Sequence, residues 1–294
     1  MRSRIMSAFV AAAAAGATAT TLGLAAAGAA NASVTTTAKP SMTGSAIGST
    51  SSAGYEASGR YFRYISSTIT VPDTSFLTGL YPQEYIQLSN GSLNEQGNPT
   101  GNQYVRAGIE SCIVARTFGY TCTTGTWVAF VEAFNNSLSG PYYSHYSELA
   151  GVNQGDGVNF SIYYYQGGNE LSFVITPPST SGTPQYYKTR AYGPIFDHAA
   201  ALDDFTDSTG TPIALPPFIH SFRLNQFLQG ALTTYSGAKG SFTGPWTTSE
   251  VVATSNGLLP PSGSTRVSPS ALWSDGLSAN GAVRPYDAFG VWAR

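Results

Sequence analysis

Charge is scarce in this chain, so ionisable residues embedded in apolar, strand-like runs are the first candidates for chemistry. In NQYVRAGIE (102–110), strand alternation puts Tyr104, Arg106 and Gly108 on one face. In TWVAFVEAF (126–134) Glu132 shares its face with Phe130 and Phe134, and in HAAALDDF (198–205) Asp203 shares one with Ala199, Ala201 and Phe205. A buried ion must pair or shift its pKa; a shifted carboxylate can act as a general base, and a guanidinium can stabilise an oxyanion. Arg106, Glu132 and Asp203 are therefore expected together in one concave site. Asp204 should point away from Asp203 unless a one-residue bulge exchanges them. Gln87 and Gln103 are the alternative amide donors, and Gln87 and Phe130 are expected to line the binding groove.

These strands belong to a chain of 294 residues with 10% charged and 13% aromatic residues, 14 Lys plus Arg and 16 Asp plus Glu. No basic excess exists to neutralise phosphates, which argues against a nucleic-acid partner. The start carries Arg2 and Arg4, a long run of small apolar residues, and Ala30-Asn31-Ala32 before Ser33. That pattern is a secretory signal peptide over 1–32, and no later segment is apolar enough to span a membrane. A secreted, extracellular protein with no membrane partner after signal removal is expected. Residues 33–53 read as a Ser/Thr-rich linker or pro-segment. Export also predicts a disulfide between Cys112 and Cys122 across a hairpin connection. His145, His198 and His220 have no metal-ligand spacing, so neither a metal nor another cofactor is expected. A serine hydrolase lacks a G-x-S-x-G turn.

From Gly54 onward, short β-branched and aromatic runs alternate with Gly, Pro, Asn and Asp, and no helical periodicity of any length occurs. About a dozen strands without intervening helices predict an all-β fold of two packed antiparallel sheets, a β-sandwich over 54–294.

The order and spacing of several segments resemble the glutamic peptidases, or eqolisins. AGYEASGRYFRYISSTITVPD (53–73) is similar to that family's opening Gly-Tyr segment and Val-Pro strand. EYIQLSNG (84–91), VRAGIESC (105–112) and AFVEAF (129–134) resemble its next three strands, and HAAALDDF (198–205) the later acidic strand. GVNQGDGVNFSIYY (151–164) resembles its Gly-Asp turn and following strand, and SALWSDGLSANGAVRPYDAFGVWAR (270–294) its closing strand. The resemblance implies a concanavalin-like sandwich and a Glu base acting on water with a Gln that stabilises the oxyanion. By position, that Glu falls on Asp203 and that Gln on Arg106, so both are substituted. Glu132 matches the family's second acidic position, and Tyr85 takes the place of a cleft-wall aromatic.

Three functions follow. One is a secreted endopeptidase with Asp203 as base, Arg106 as donor and Glu132 as supporting acid, acting on a polypeptide as a monomer. The second is a non-catalytic peptide- or glycan-binding module in which Arg106 salt-bridges Glu132 or Asp203. The third, a glycoside hydrolase, needs Glu132 and Asp203 about 5–5.5 Å or about 6.5–9.5 Å apart.

Overall fold

The strictly alternating run GVNFSIYYY illustrates how this chain builds its layers. Val158, Phe160, Ile162 and Tyr164 are buried while the residues between them reach the other face, as a half-buried antiparallel strand requires. A computed structural model describes residues 42–72, 79–94, 98–138, 140–178, 182–192, 196–213, 222–259, 263, 265–270, 272 and 288–293. The expected signal peptide, the first part of the linker and most of the closing segment lie outside the described residues.

Sixteen strands are described: β1 (Ile47–Ser49), β2 (Ser52–Ser58), β3 (Phe62–Thr70), β4 (Tyr81–Ser89), β5 (Gln103–Ser111), β6 (Trp127–Asn135), β7 (Gly140–Glu148) and β8 (Gly157–Tyr165). They continue with β9 (Glu170–Thr176), β10 (Gln185–Arg190), β11 (His198–Thr206), β12 (Phe222–Thr234), β13 (Lys239–Gly240), β14 (Thr247–Thr254), β15 (Thr265–Pro269) and β16 (Phe289–Ala293). Hydrogen bonding runs in the order β10-β9-β8-β3-β12-β16-β15-β14-β2-β11-β4-β5-β6-β7. β16 and β15 carry the ladder from one layer to the next, and β3 and β8 pack on β4, β5 and β11. The protein is an all-β sandwich, as its sequence predicts.

The core between the layers joins Ile65, Ile69, Phe160, Ile162 and Phe173 of one sheet to Ile86, Ala107, Ile109, Ala129, Val131 and Ala201 of the other. A second apolar cluster, with Tyr85, Leu93, Phe130, Ala200, Leu202 and Val251, covers the outer face of the second sheet. β11 is consequently buried on both sides, with only His198 at its start partly exposed.

Two expectations need correction. The sandwich begins before Gly54, because β1 pairs in parallel with β14 and β2 starts at Ser52; the tail of the supposed linker therefore supplies sheet hydrogen bonds. A helix also occurs, α1 (Cys112–Thr117), started by the Ser111 hydroxyl accepting from the Val114 N–H at 3.4 Å. At six residues it is too short to leave an apolar periodicity. It sits in the β5–β6 connection, which the Cys112–Cys122 disulfide closes as expected.

Candidate functional site

Three cross-strand registers decide which side chains meet. Arg106 lies opposite Glu132 on β6 and opposite Gln87 on β4, while Gln87 lies opposite Ala200 on β11. Even-numbered residues of β11 therefore share the face of Arg106. Tyr85, Gly108 and Phe130 form the adjacent row on that face, flanked by Leu202. Arg106, Glu132, Tyr85, Gln87 and Phe130 thus all lie on the outer face of the second sheet.

Asp203 does not. It pairs with Ala53 and Glu84 and points into the core between the sheets. β11 keeps unbroken register with β4 from His198 to Thr206, so no bulge reorients it. Asp204 takes the outward position. The expected Asp203–Arg106 pair is ruled out, and so is the paired-carboxylate arrangement of Glu132 and Asp203. Those two residues occupy opposite faces and stand three strands apart, about 14 Å at the usual interstrand spacing.

The guanidinium of Arg106 is held from several sides. Its Nε donates to Gln87 Oε1 at 2.8 Å and its Nη2 to Asn98 Oδ1 at 3.3 Å. The group lies 4.1 Å from the Tyr104 ring centroid and 4.7 Å from that of Tyr85, within cation–π range. Burial opposes its charge, but the Tyr85 and Tyr104 phenols, Glu132 and Asp204 outweigh it and push its pKa up. Among the described residues Arg106 makes no ion pair with a carboxylate, contrary to the expected salt bridge. It turns toward Gln87 and Asn98 and leaves Glu132 to the Tyr104 hydroxyl, which donates at 3.4 Å.

The neighbouring acids differ in environment. Glu132 keeps part of its surface exposed; burial raises its pKa against the lowering effects of Arg106 and the Tyr104 hydroxyl. Asp204 is buried and accepts from the Tyr85 hydroxyl at 2.6 Å; burial raises it too, with Arg106, Ser52 and Tyr85 pulling the other way. Glu110, in the row of Asp204, accepts from Gln83 and is pushed up to about 8, mainly by burial. Burial likewise lifts the Tyr104 phenol to about 12. Gly108 makes the row possible: a Cβ there would sit 2.6 Å from the Cβ of Tyr85, so only glycine lets that ring lie beside Phe130.

Part of this face is roofed. In the connection between β4 and β5, the Gly91 N–H donates to Asp197 Oδ1 at 2.8 Å and the Leu93 N–H to Glu56 Oε2 at 3.1 Å. On the β6–β7 side of this face, Glu132 and Phe134 are partly exposed and Ser144 is exposed. Gln103, the second alternative donor, is not in the site: its amide donates to the Tyr192 carbonyl at 2.8 Å. Sequence reasoning missed Asn98 and Glu110 and set Asp204 on the face away from the expected site. Asp204 was visible as the neighbour of Asp203, whereas Asn98 lies in a polar connection with no distinguishing pattern.

Among the described residues, the face offers a fixed cation, an amide at Gln87 whose Nε2 is buried without a partner, and the carboxyl of the partly exposed Glu132. No protein-family model matches this chain, and no curated protein matches it. Among solved structures, the lectin II from Ulex europaeus is similar with a TM-score of 0.38 at 9% identity, over 71% of this chain and 86% of that one. A GH16 protein of Bacteroides ovatus gives 0.31 at 13% identity, over 56% and 74%. SCP-B, a member of the eqolisin family of peptidases in complex with the tripeptide Ala-Ile-His, gives 0.51 at 11% identity over 83% of this chain and 98% of that chain. This last likeness establishes a shared β-sandwich fold.

Proposed function

We propose that this exported sandwich binds polypeptide segments on the Arg106 face and does not cleave them through an Asp203–Arg106 pair. The carrying observation is the state of Arg106. A guanidinium has five N–H donors, and described residues engage it through only Nε and Nη2, between two tyrosine rings that fix its plane. A charge held this way is preorganised to donate to a peptide carbonyl or carboxylate. The tripeptide bound by SCP-B supports peptide as the ligand class, and the Cys112–Cys122 disulfide supports export.

A second reading, hydrolysis with Glu132 as base, is favoured by one observation: Glu132 is the partly exposed acid opposite Arg106, with its pKa raised by burial. One experiment separates the two. The purified protein is incubated with fluorescein-labelled, reduced and alkylated casein between pH 3 and pH 7, and both anisotropy and fragment release are followed. Binding without fragments, weakened at least tenfold by Arg106→Met, supports the first reading. Fragment release abolished by Glu132→Gln supports the second and sinks the first. No anisotropy change and no fragments would refute both.

A further inference from the structure

The opposite outer face, on the first sheet, carries a second and chemically different surface. β12 is interrupted between Leu228 and Ala231, where its register with β3 shifts and Gln229 adopts a left-handed φ of 56°. A non-glycine residue held in that region is strained, and such strain concentrates at binding sites. The interruption and the β12–β13 hairpin frame an open cavity of about 600 Å³, lined by Tyr64, Ser66, Asn159, Gln229, Thr233 and Lys239 among others. Among the described residues, none that lines it is acidic. The Asn159 side chain is oriented by donating to Thr68 Oγ1 at 3.1 Å.

A row of tyrosines leads out of this cavity. Tyr64 lies opposite Tyr163 in the register of β3 and β8, with ring centroids 6.0 Å apart, and Tyr165 follows 4.1 Å from Tyr163. All three alternate away from the core residues Ile65, Ile162 and Tyr164. Tyr165 is 48% exposed, so its ring is presented to solvent. The nearby charges of β9 and β10 are partly cancelled, because Lys188 and Glu170 pair at 2.7 Å.

We propose that this cavity and its tyrosine row bind a neutral oligosaccharide. A pyranose offers C–H faces that stack on phenol rings and equatorial hydroxyls that exchange hydrogen bonds with amides and hydroxyls. The lining supplies both kinds of group. Pockets that combine an aromatic wall with a few converging polar groups are the usual form of small-ligand sites. An anionic ligand would need a cationic cluster, whereas among the described residues Lys239 is the single charged one in the cavity lining and Arg63 stands alone over the tyrosine row, 5.9 Å from the Tyr163 ring centroid. A peptide on the Arg106 face would be independent of this site, because the two surfaces lie on opposite sides of the sandwich.

The test is affinity electrophoresis of the full chain in native gels containing laminarin, hydroxyethyl cellulose, galactomannan or polygalacturonate. Retardation by at least one neutral polymer is expected, with the dissociation constant raised at least tenfold in Tyr64→Ala. Tyr165→Ala, at an exposed position, should raise it at least threefold. Arg106→Met should leave it unchanged, so failure of the peptide-binding reading would not affect the result. The proposal is overturned if no neutral polymer retards the protein, if only polygalacturonate does, or if both tyrosine variants are retarded like the wild type.

Discussion

Asp203→Asn tests the placement of that residue directly. Asp203 and Glu84 are cross-strand partners in the core, both fully buried, and none of their four carboxyl oxygens has a hydrogen-bond partner on another described residue. Burial, with Asp204 adding to it, holds the Asp203 carboxyl protonated well above its ordinary range; burial and the nearby Asp203 do the same to Glu84. In the unfolded chain an aspartate ionises near pH ~4. A folded-state pKa raised above that value gives stability that is complete below pH ~4 and is lost as pH rises, at about 1.4 kcal/mol per pH unit for each carboxyl kept protonated. Asparagine has nearly the same shape and does not titrate. Between pH 5 and pH 7 the stability of Asp203→Asn relative to the wild type should therefore grow as pH rises, for as long as the folded wild type keeps Asp203 protonated. Urea unfolding followed by tryptophan fluorescence at pH 5, 6 and 7 measures the difference. Parallel stability curves for the two proteins would refute the reasoning, since an Asp203 on a hydrated face would be ionised in both folded and unfolded states.

Two further outcomes are expected. Tyr85→Phe removes the donor at 2.6 Å from the buried Asp204 carboxyl and should cost about 1–3 kcal/mol at pH 6. A double-mutant cycle with Asp204→Asn should show coupling of about 1 kcal/mol or more, and an additive cycle would count against the bond. Replacing both Cys112 and Cys122 by serine opens a loop with a sequence separation of 10 and should lower stability by roughly 2–3 kcal/mol. An unfolding midpoint that is the same for oxidised wild type and the double variant would contradict this.

Parts of the site were legible because strand alternation is a local property. The faces assigned to Tyr104, Arg106 and Gly108, and to Phe130, Glu132 and Phe134, follow from a period of two and agree with the observed rows. The same alternation correctly separates Asp203 from Asp204, yet it leaves open which of them joins Arg106. That choice depends on β4, whose register links Arg106 through Gln87 to Ala200. A shift of one residue between β4 and β11 would have reversed it. The pairing of β1 with β14 was hidden for a related reason: Ile47-Gly48-Ser49 has little apolar signal, and its stability as a strand comes from a partner some two hundred positions away.

The amino-acid sequence alone determined the all-β class, the sandwich and the disulfide partners, along with the scarcity of charge that singles out Arg106 and Glu132. These depend on composition, on periodicity within single strands, and on cysteines near each other in the chain. The tertiary structure alone decided that Asp203 is buried against Glu84, that Asp204 meets Tyr85, and that Arg106 is held by Gln87 and Asn98 without an ion pair. Each of those outcomes is set by register between strands distant in sequence. Register follows from the packing of whole faces, and no local pattern encodes it.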